Sequence, residues 1–212
     1  MLRTALSCLV AGLLAHAAAS GLTVGYEVWT AEGARRLQAA ARPLPAPAIP
    51  MAGPGVEGRT LAGLLADGRH ASVVDFIYTR CTSVCSALGT AFQQMQARLL
   101  AEAPDGDPPV RLLSVSFDAR HDDERALQGY AARMRAEPHL WRIARPRDGR
   151  HLAALLTRYG VVVIPDGRGG YEHNAALLVV DPAGRLVRVF DYDDLDTALT
   201  FARSLVSARS GP

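Results

Sequence analysis

The chain has 212 residues, 49% of them hydrophobic and 21% charged, and its 23 basic and 21 acidic residues leave a formal net charge of +2. That balance suits one globular domain with a real core and an N-terminal extension. No basic cluster with interleaved aromatics is present, so nucleic-acid binding has no support, and the exclusive use of arginine among the basic residues reads as composition bias.

Met1-Leu2-Arg3 followed by an Ala/Leu-rich run from Thr4 to Ser20 reads as an export signal. Its most apolar part is roughly 15 residues, short of the ~20 needed to cross a bilayer, and Ala17-Ala18-Ala19 offers a small-residue cleavage site. Extension of the run through Val24 gives an uncleaved anchor instead, so residues 1–24 are expected to act either as a cleaved signal or as a membrane anchor. In both cases the domain is expected outside the cytoplasm. Cys8 sits inside this segment, which leaves Cys81 and Cys85 for the exported domain.

Residues 25–55 are expected as a linker, because from Arg42 to Gly58 the chain is rich in Pro, Ala and Gly. The domain is expected from Val56 to about residue 208. It opens with an apolar, β-branched run, Val73 to Thr79, that predicts a buried strand. Leu88, Phe92, Met95 and Leu99 then recur at helix spacing, closed by Pro104 with Asp105-Gly106. Met95 belongs to that stripe and reads as core, not as a metal ligand. Val110 to Phe117 predicts a second buried strand, Asp123 to Ala136 a helix ended by Pro138, and His151 to Tyr159 a third helix. Val161 to Ile164 leads into a turn-rich insert, Pro165 to Gly170. Ala175–Val180 and Leu186–Phe190 form a hairpin through Asp181-Pro182-Ala183-Gly184, and Leu195 to Val206 is a closing helix.

This order of elements is that of an α/β, thioredoxin-like three-layer sandwich with a central mixed sheet. Right-handed crossovers make the first two strands parallel, so their carboxyl ends, with Cys81 and Asp118, meet at one edge. The first hairpin strand runs the other way, which brings His173 to the same edge.

Cys81 and Cys85 thus stand where a strand passes into a helix, and unsatisfied backbone N–H groups with the helix dipole favour thiolate there. The pair can bind a soft metal or exchange electrons; an ordinary structural disulfide is the plain alternative, and a loop this short would constrain the unfolded chain little. Among six histidines, His173 has its backbone fixed by the strand that follows, whereas His121 lies in a loop that also looks like an exposed capping segment. Two sulfurs and one imidazole suit Cu(I), and Cu(II) where a further ligand is supplied. A structural zinc site would need more protein ligands than these. Asp118 is expected to orient His173 or a partner without ligating, or else to cap the following helix.

The segment Asp75-Phe76-Ile77-Tyr78-Thr79-Arg80-Cys81-x-x-x-Cys85, the stretch Ser114 to Asp118 with Asp122, and His173 followed by Leu177 to Pro182 and Gly184 resemble the Sco/SenC family. The resemblance runs from about residue 56 to 191 and includes the export segment. It implies a thioredoxin-fold copper protein whose two cysteines and histidine, here Cys81, Cys85 and His173, bind copper and help metallate the dinuclear copper site of cytochrome c oxidase. It equally implies an alternative, a thiol-disulfide reductase in which Cys81 and Cys85 are the redox pair and a thioredoxin-like reductant regenerates them. The expected partners are the copper-binding subunit of the oxidase or another cuproprotein. Where many members carry proline after each cysteine, this chain has Thr82 and Ser86, and Ala119 and Glu172-His173-Asn174 replace other family residues.

Overall fold

A computed structural model of the chain describes residues 2–26, 28–81, 84–104 and 106–207, with the backbone alone for residues 2 and 84–87. The chain divides into two compact units, Met1–Gln38 and Ala39–Pro212. The first holds helix α1 (Leu2–Leu22), apolar and long enough from Arg3 to Leu22 to cross a membrane, a property it shares with signal sequences. Beyond α1 the Tyr26 hydroxyl meets His16 Nδ1 at 2.7 Å, and helix α2 (Ala31–Ala41) begins.

The second unit contains β1 (Leu44–Pro45), β2 (Met51–Ala52), α3 (Leu61–Leu65), β3 (Ala71–Ile77), α4 (Val84–Glu102), β4 (Val110–Ser116), α5 (Glu124–Met134), β5 (Trp141–Pro146), α6 (Arg150–Tyr159), β6 (Val163–Pro165), β7 (Tyr171–His173), β8 (Ala176–Val180), β9 (Arg185–Asp191) and α7 (Leu195–Ser207). Seven strands form one sheet in the order β1-β9-β8-β3-β4-β5-β2, while β6 and β7 form a separate two-stranded ribbon. β3 pairs parallel with β4 and antiparallel with β8, the mixed sheet expected from the order of elements.

β3 is buried at every position and β4 at all but one, because both faces of the sheet are covered. Val73, Ile77, Leu112 and Trp141 on one face pack with Leu88, Phe92, Met95 and Leu99 of α4 and with α5 and α7. Met95 is therefore core, as its spacing indicates. Val74, Phe76, Leu113 and Val115 on the other face pack with α3, α6 and the ribbon. Local signals stop the helices where they should: the Asp123 side chain caps α5 by accepting from Ala126 N at 2.8 Å, and Gly160 ends α6 at φ 64°.

Three features differ from the sequence reading. The Pro-rich stretch expected as a linker outside the domain is in part built into it: Ile49 and Met51 are core, and β1 and β2 pair with β9 and β5 at the two sheet edges. Short strands held by single partners carry too little periodicity to be read. β5 was not anticipated, because Arg142 and Arg145 interrupt an otherwise buried run. His173 does not merely precede a strand; it ends β7, opposite Val163. Asp105, expected at the end of α4, lies outside the described residues.

Candidate functional site

The carboxyl ends of β3 and β4 leave the sheet side by side, with Phe117 N donating to Ile77 O at 2.9 Å. The loop that carries Cys81 is then gripped at Thr79. Asp122, fully buried, accepts from Thr79 N at 2.9 Å and Thr79 Oγ1 at 2.7 Å, and Ser116 Oγ donates to it at 2.5 Å. Arg133 donates to Thr79 O at 2.9 Å, so the peptides on both sides of Thr79 are held. A carboxylate with its lone pairs filled in this way costs little to bury and fixes what it touches.

Cys81 is partly buried against the cluster that contains Tyr78 and Phe117, and its N–H donates to Tyr78 O at 3.2 Å. Three residues on, α4 begins at Val84, which makes Cys85 its second residue. Thr82 and the side chains of Cys85 and Ser86 lie outside the described residues.

His173 arrives from the ribbon. Its ring packs edge-on against Phe117, centroids 5.1 Å apart, and Tyr171 packs edge-on against both Phe117 and Tyr78. Tyr78 Oη accepts from Tyr171 N and donates to Tyr171 O, each at 3.3 Å. At the ribbon's base Asn174 accepts from Val162 N at 2.7 Å and donates to Gly160 O at 2.9 Å. At the ribbon's tip a Cβ on Gly170 would lie 2.7 Å from Asp166 Oδ2 and 3.1 Å from Tyr78 Oη, so those side chains would have to shift. Burial holds the His173 imidazole below its usual pKa, which favours the neutral ring that a soft metal needs.

The Asp118 side chain is buried and does not cap α5. It accepts from Arg80 at 3.0 Å and meets His121 Nδ1 at 2.9 Å, while Arg80 also donates to Gly169 O at the ribbon's tip, at 3.3 Å. Burial pushes the Asp118 carboxyl up, but hydrogen bonds from His121 and Arg80 outweigh it and hold it below the usual range. The capping role weighed for it belongs to Asp123. His121 is half exposed and engaged with Asp118.

Cys81 therefore packs against the same hydrophobic cluster whose Phe117 supports the His173 ring, and Asp118 stands at the same edge through Arg80. Among the described residues no three His, Cys, Asp or Glu side chains already converge as a metal cage. The donor set suits a soft metal ion: a thiol at a helix threshold and a neutral imidazole. Arg80, Asp122, Arg133 and the aromatic trio were not legible as a group in the sequence. The Asp118/Asp122 spacing was the one signal, and it does not reveal which of the two holds Thr79 and which holds Arg80.

The SCO1/SenC family model matches residues 58–205, most of the chain. The chain belongs to that family. A SCO1 protein homolog of Bacillus subtilis (strain 168) is 25% identical over 141 residues, 63% of this chain and 71% of the relative. The fold is shared with Bradyrhizobium japonicum ScoI, solved with copper bound, at a TM-score of 0.52 and 22% identity over 64% of this chain and 85% of that one. BsSco, described as having a disulfide switch and as a member of the Sco family of cytochrome c oxidase assembly proteins, gives a TM-score of 0.57 at 20% identity over 67% of this chain and 82% of that one.

Proposed function

We propose that this chain binds copper through the thiolates of Cys81 and Cys85 and the imidazole of His173, and passes it to the dinuclear copper site of a cytochrome c oxidase. The apolar N-terminal segment would hold the domain at the periplasmic face of the inner membrane. The observation that carries this reading is the placement of a neutral, part-buried His173 against Phe117, on the cluster that also supports Cys81. A thiol-exchange site has no need of such an imidazole. Family membership and the copper-bound relative support it.

The chemistry follows from the residues. The helix start favours thiolate, and copper capture releases any thiol proton that remains. Transfer is ligand exchange: each bond to a sulfur of this chain is replaced by one to a partner's cysteine, without change in the metal's charge. Asp118 holds Arg80 in an ion pair at 3.0 Å, and the same guanidinium reaches Gly169 O at the ribbon's tip.

The disulfide switch described for BsSco favours a second use of the same sulfurs. There the Cys81 thiolate attacks a partner disulfide, one partner sulfur leaves as thiolate, and Cys85 resolves the mixed disulfide, which reduces the partner and oxidises Cys81 and Cys85. A thioredoxin-like dithiol must then restore the pair.

The deciding experiment is a Cu(I) titration of the full chain in detergent against its His173→Ala variant. One copper per chain is expected, held at least a hundredfold more weakly in the variant with folding intact. Equal affinity would remove His173 from the site. In cells, loss of oxidase activity that added copper restores supports delivery, whereas rescue by an external reductant alone supports thiol reduction.

A further inference from the structure

The edge that carries Cys81 has a second feature that metal binding does not use. β9 is antiparallel to β8, and β8 to β3, so β9 also ends at the cysteine edge, with Asp191 opposite Ala176, three residues beyond His173. Between its exit and α4 lies an open depression of about 290 Å³, lined by Thr90, Ala91 and Gln94 of α4 and by Tyr192, Asp193 and Leu195. Thr90 is five residues along α4 from Cys85, roughly 7.5 Å at the helical rise. The depression therefore flanks the cysteine loop.

Its walls are mostly apolar and its rim is acidic. Asp193 lines the depression and Asp194 follows directly in the chain, while the nearby Asp196 pairs with Arg98. Asp193 and Asp194 are exposed and have no cationic partner among the described residues. Tyr192, 40% exposed, adds an aromatic face. Small-molecule pockets run from ~300 Å³ upward, so this one fits a single long side chain better than a free ligand. A slot with apolar walls and a carboxylate rim complements a side chain with an aliphatic stem and a cationic head.

We propose that this depression receives a lysine or arginine of the client protein, carried on a segment beside the client's own cysteines, and so sets which proteins dock on the cysteine edge. The proposal rests on the delivery reading for why a client comes to this edge, but not for the binding itself. Docking here leaves Cys81 and His173 uncovered for ligand exchange. The unpaired carboxylates also steer a basic surface toward the site, which makes the association rate fall with added salt.

The test uses the full chain in detergent without copper, and the amidated peptide Gly-Leu-Lys-Leu-Gly with a carbodiimide, which joins a lysine amine to a carboxylate it touches. Cross-links at Asp193 or Asp194 are expected, at least tenfold reduced in the Asp193→Asn/Asp194→Asn double variant and absent with norleucine in place of lysine. High salt should lower the yield, and copper stoichiometry should be the same in the double variant. Cross-links spread evenly over other exposed carboxylates, or an undiminished total yield in the double variant, would overturn the groove. Capture at Asp193 and Asp194 by a chain that binds no copper would uphold the groove while removing the delivery reading.

Discussion

The two ends of the β3–β4 pair carry the same residue types and use them differently. At the amino end His70 is buried, its Nδ1 2.6 Å from Asp67 and its Nε2 2.8 Å from Asp107, while Arg111 and Arg69 also pair with Asp107. At the carboxyl end His121 is half exposed over a buried Asp118, and Arg80 reaches from the cysteine loop to the ribbon. A closed cluster spends its polar groups on the fold. An open one leaves a histidine and an arginine facing whatever docks on the cysteines.

Asp75, between the two ends on β3, gives the largest expected effect. Both of its oxygens are buried without a hydrogen bond of normal geometry; burial pushes its carboxyl up to about 7, and the nearby Ser114 hydroxyl only softens the shift. The folded state thus holds this proton more tightly than the unfolded chain, whose carboxyl titrates near ~3.9. The sign follows: the contribution is fully present below about pH 4 and is lost as pH rises through about 7, a fall of about 4 kcal/mol. Asp75→Asn should flatten that slope in urea unfolding between acid and neutral pH. Identical slopes in the two proteins would mean that the carboxylate finds a partner when it ionises.

At the cysteine end, Asp122→Ala strands the Thr79 N–H and hydroxyl and the Ser116 hydroxyl, at a cost of about 3 kcal/mol. Because Thr79 is two residues from Cys81, copper affinity should fall with it, measured in parallel by denaturant titration and metal competition. A destabilised variant with unchanged affinity would detach the clamp from the site.

His70→Ala should cost about 2 kcal/mol through its lost hydrogen bonds and leave copper affinity unchanged, which separates the closed cluster from the open one. Any change in metal affinity there would erase the contrast. The smallest effect belongs to Asp118→Ala: its partners Arg80 and His121 are part-exposed, so stability should drop by less than about 1 kcal/mol, while the optical spectrum of Cu(II)-loaded protein shifts as Arg80 turns. A silent spectrum would leave Asp118 with no bearing on the metal.

Much of this was legible in the linear chain. The apolar run Val73–Thr79 and the stripe Leu88, Phe92, Met95 and Leu99 specify a buried strand and a one-sided helix, because burial imposes those periods whatever the partners are. Handedness then brings Cys81, Asp118 and His173 to one edge with few alternatives. What the chain alone did not reveal depends on groups far apart in sequence. β1 and β2 exist because a sheet edge offers them backbone partners, not because their residues favour strands, and β5 forms between β4 and β2 although Arg142 and Arg145 interrupt its apolar pattern. Tyr78, Phe117 and Tyr171 become a platform for His173 only when three segments meet, and no pattern in any one of them announces it. The choice between Asp118 and Asp122 was also tertiary. Two carboxylates four residues apart look alike until the fold gives one of them Thr79 and Ser116 and the other Arg80 and His121, and it is this difference in donors that makes one a clamp on the cysteine loop and the other a buried anchor for two part-exposed side chains.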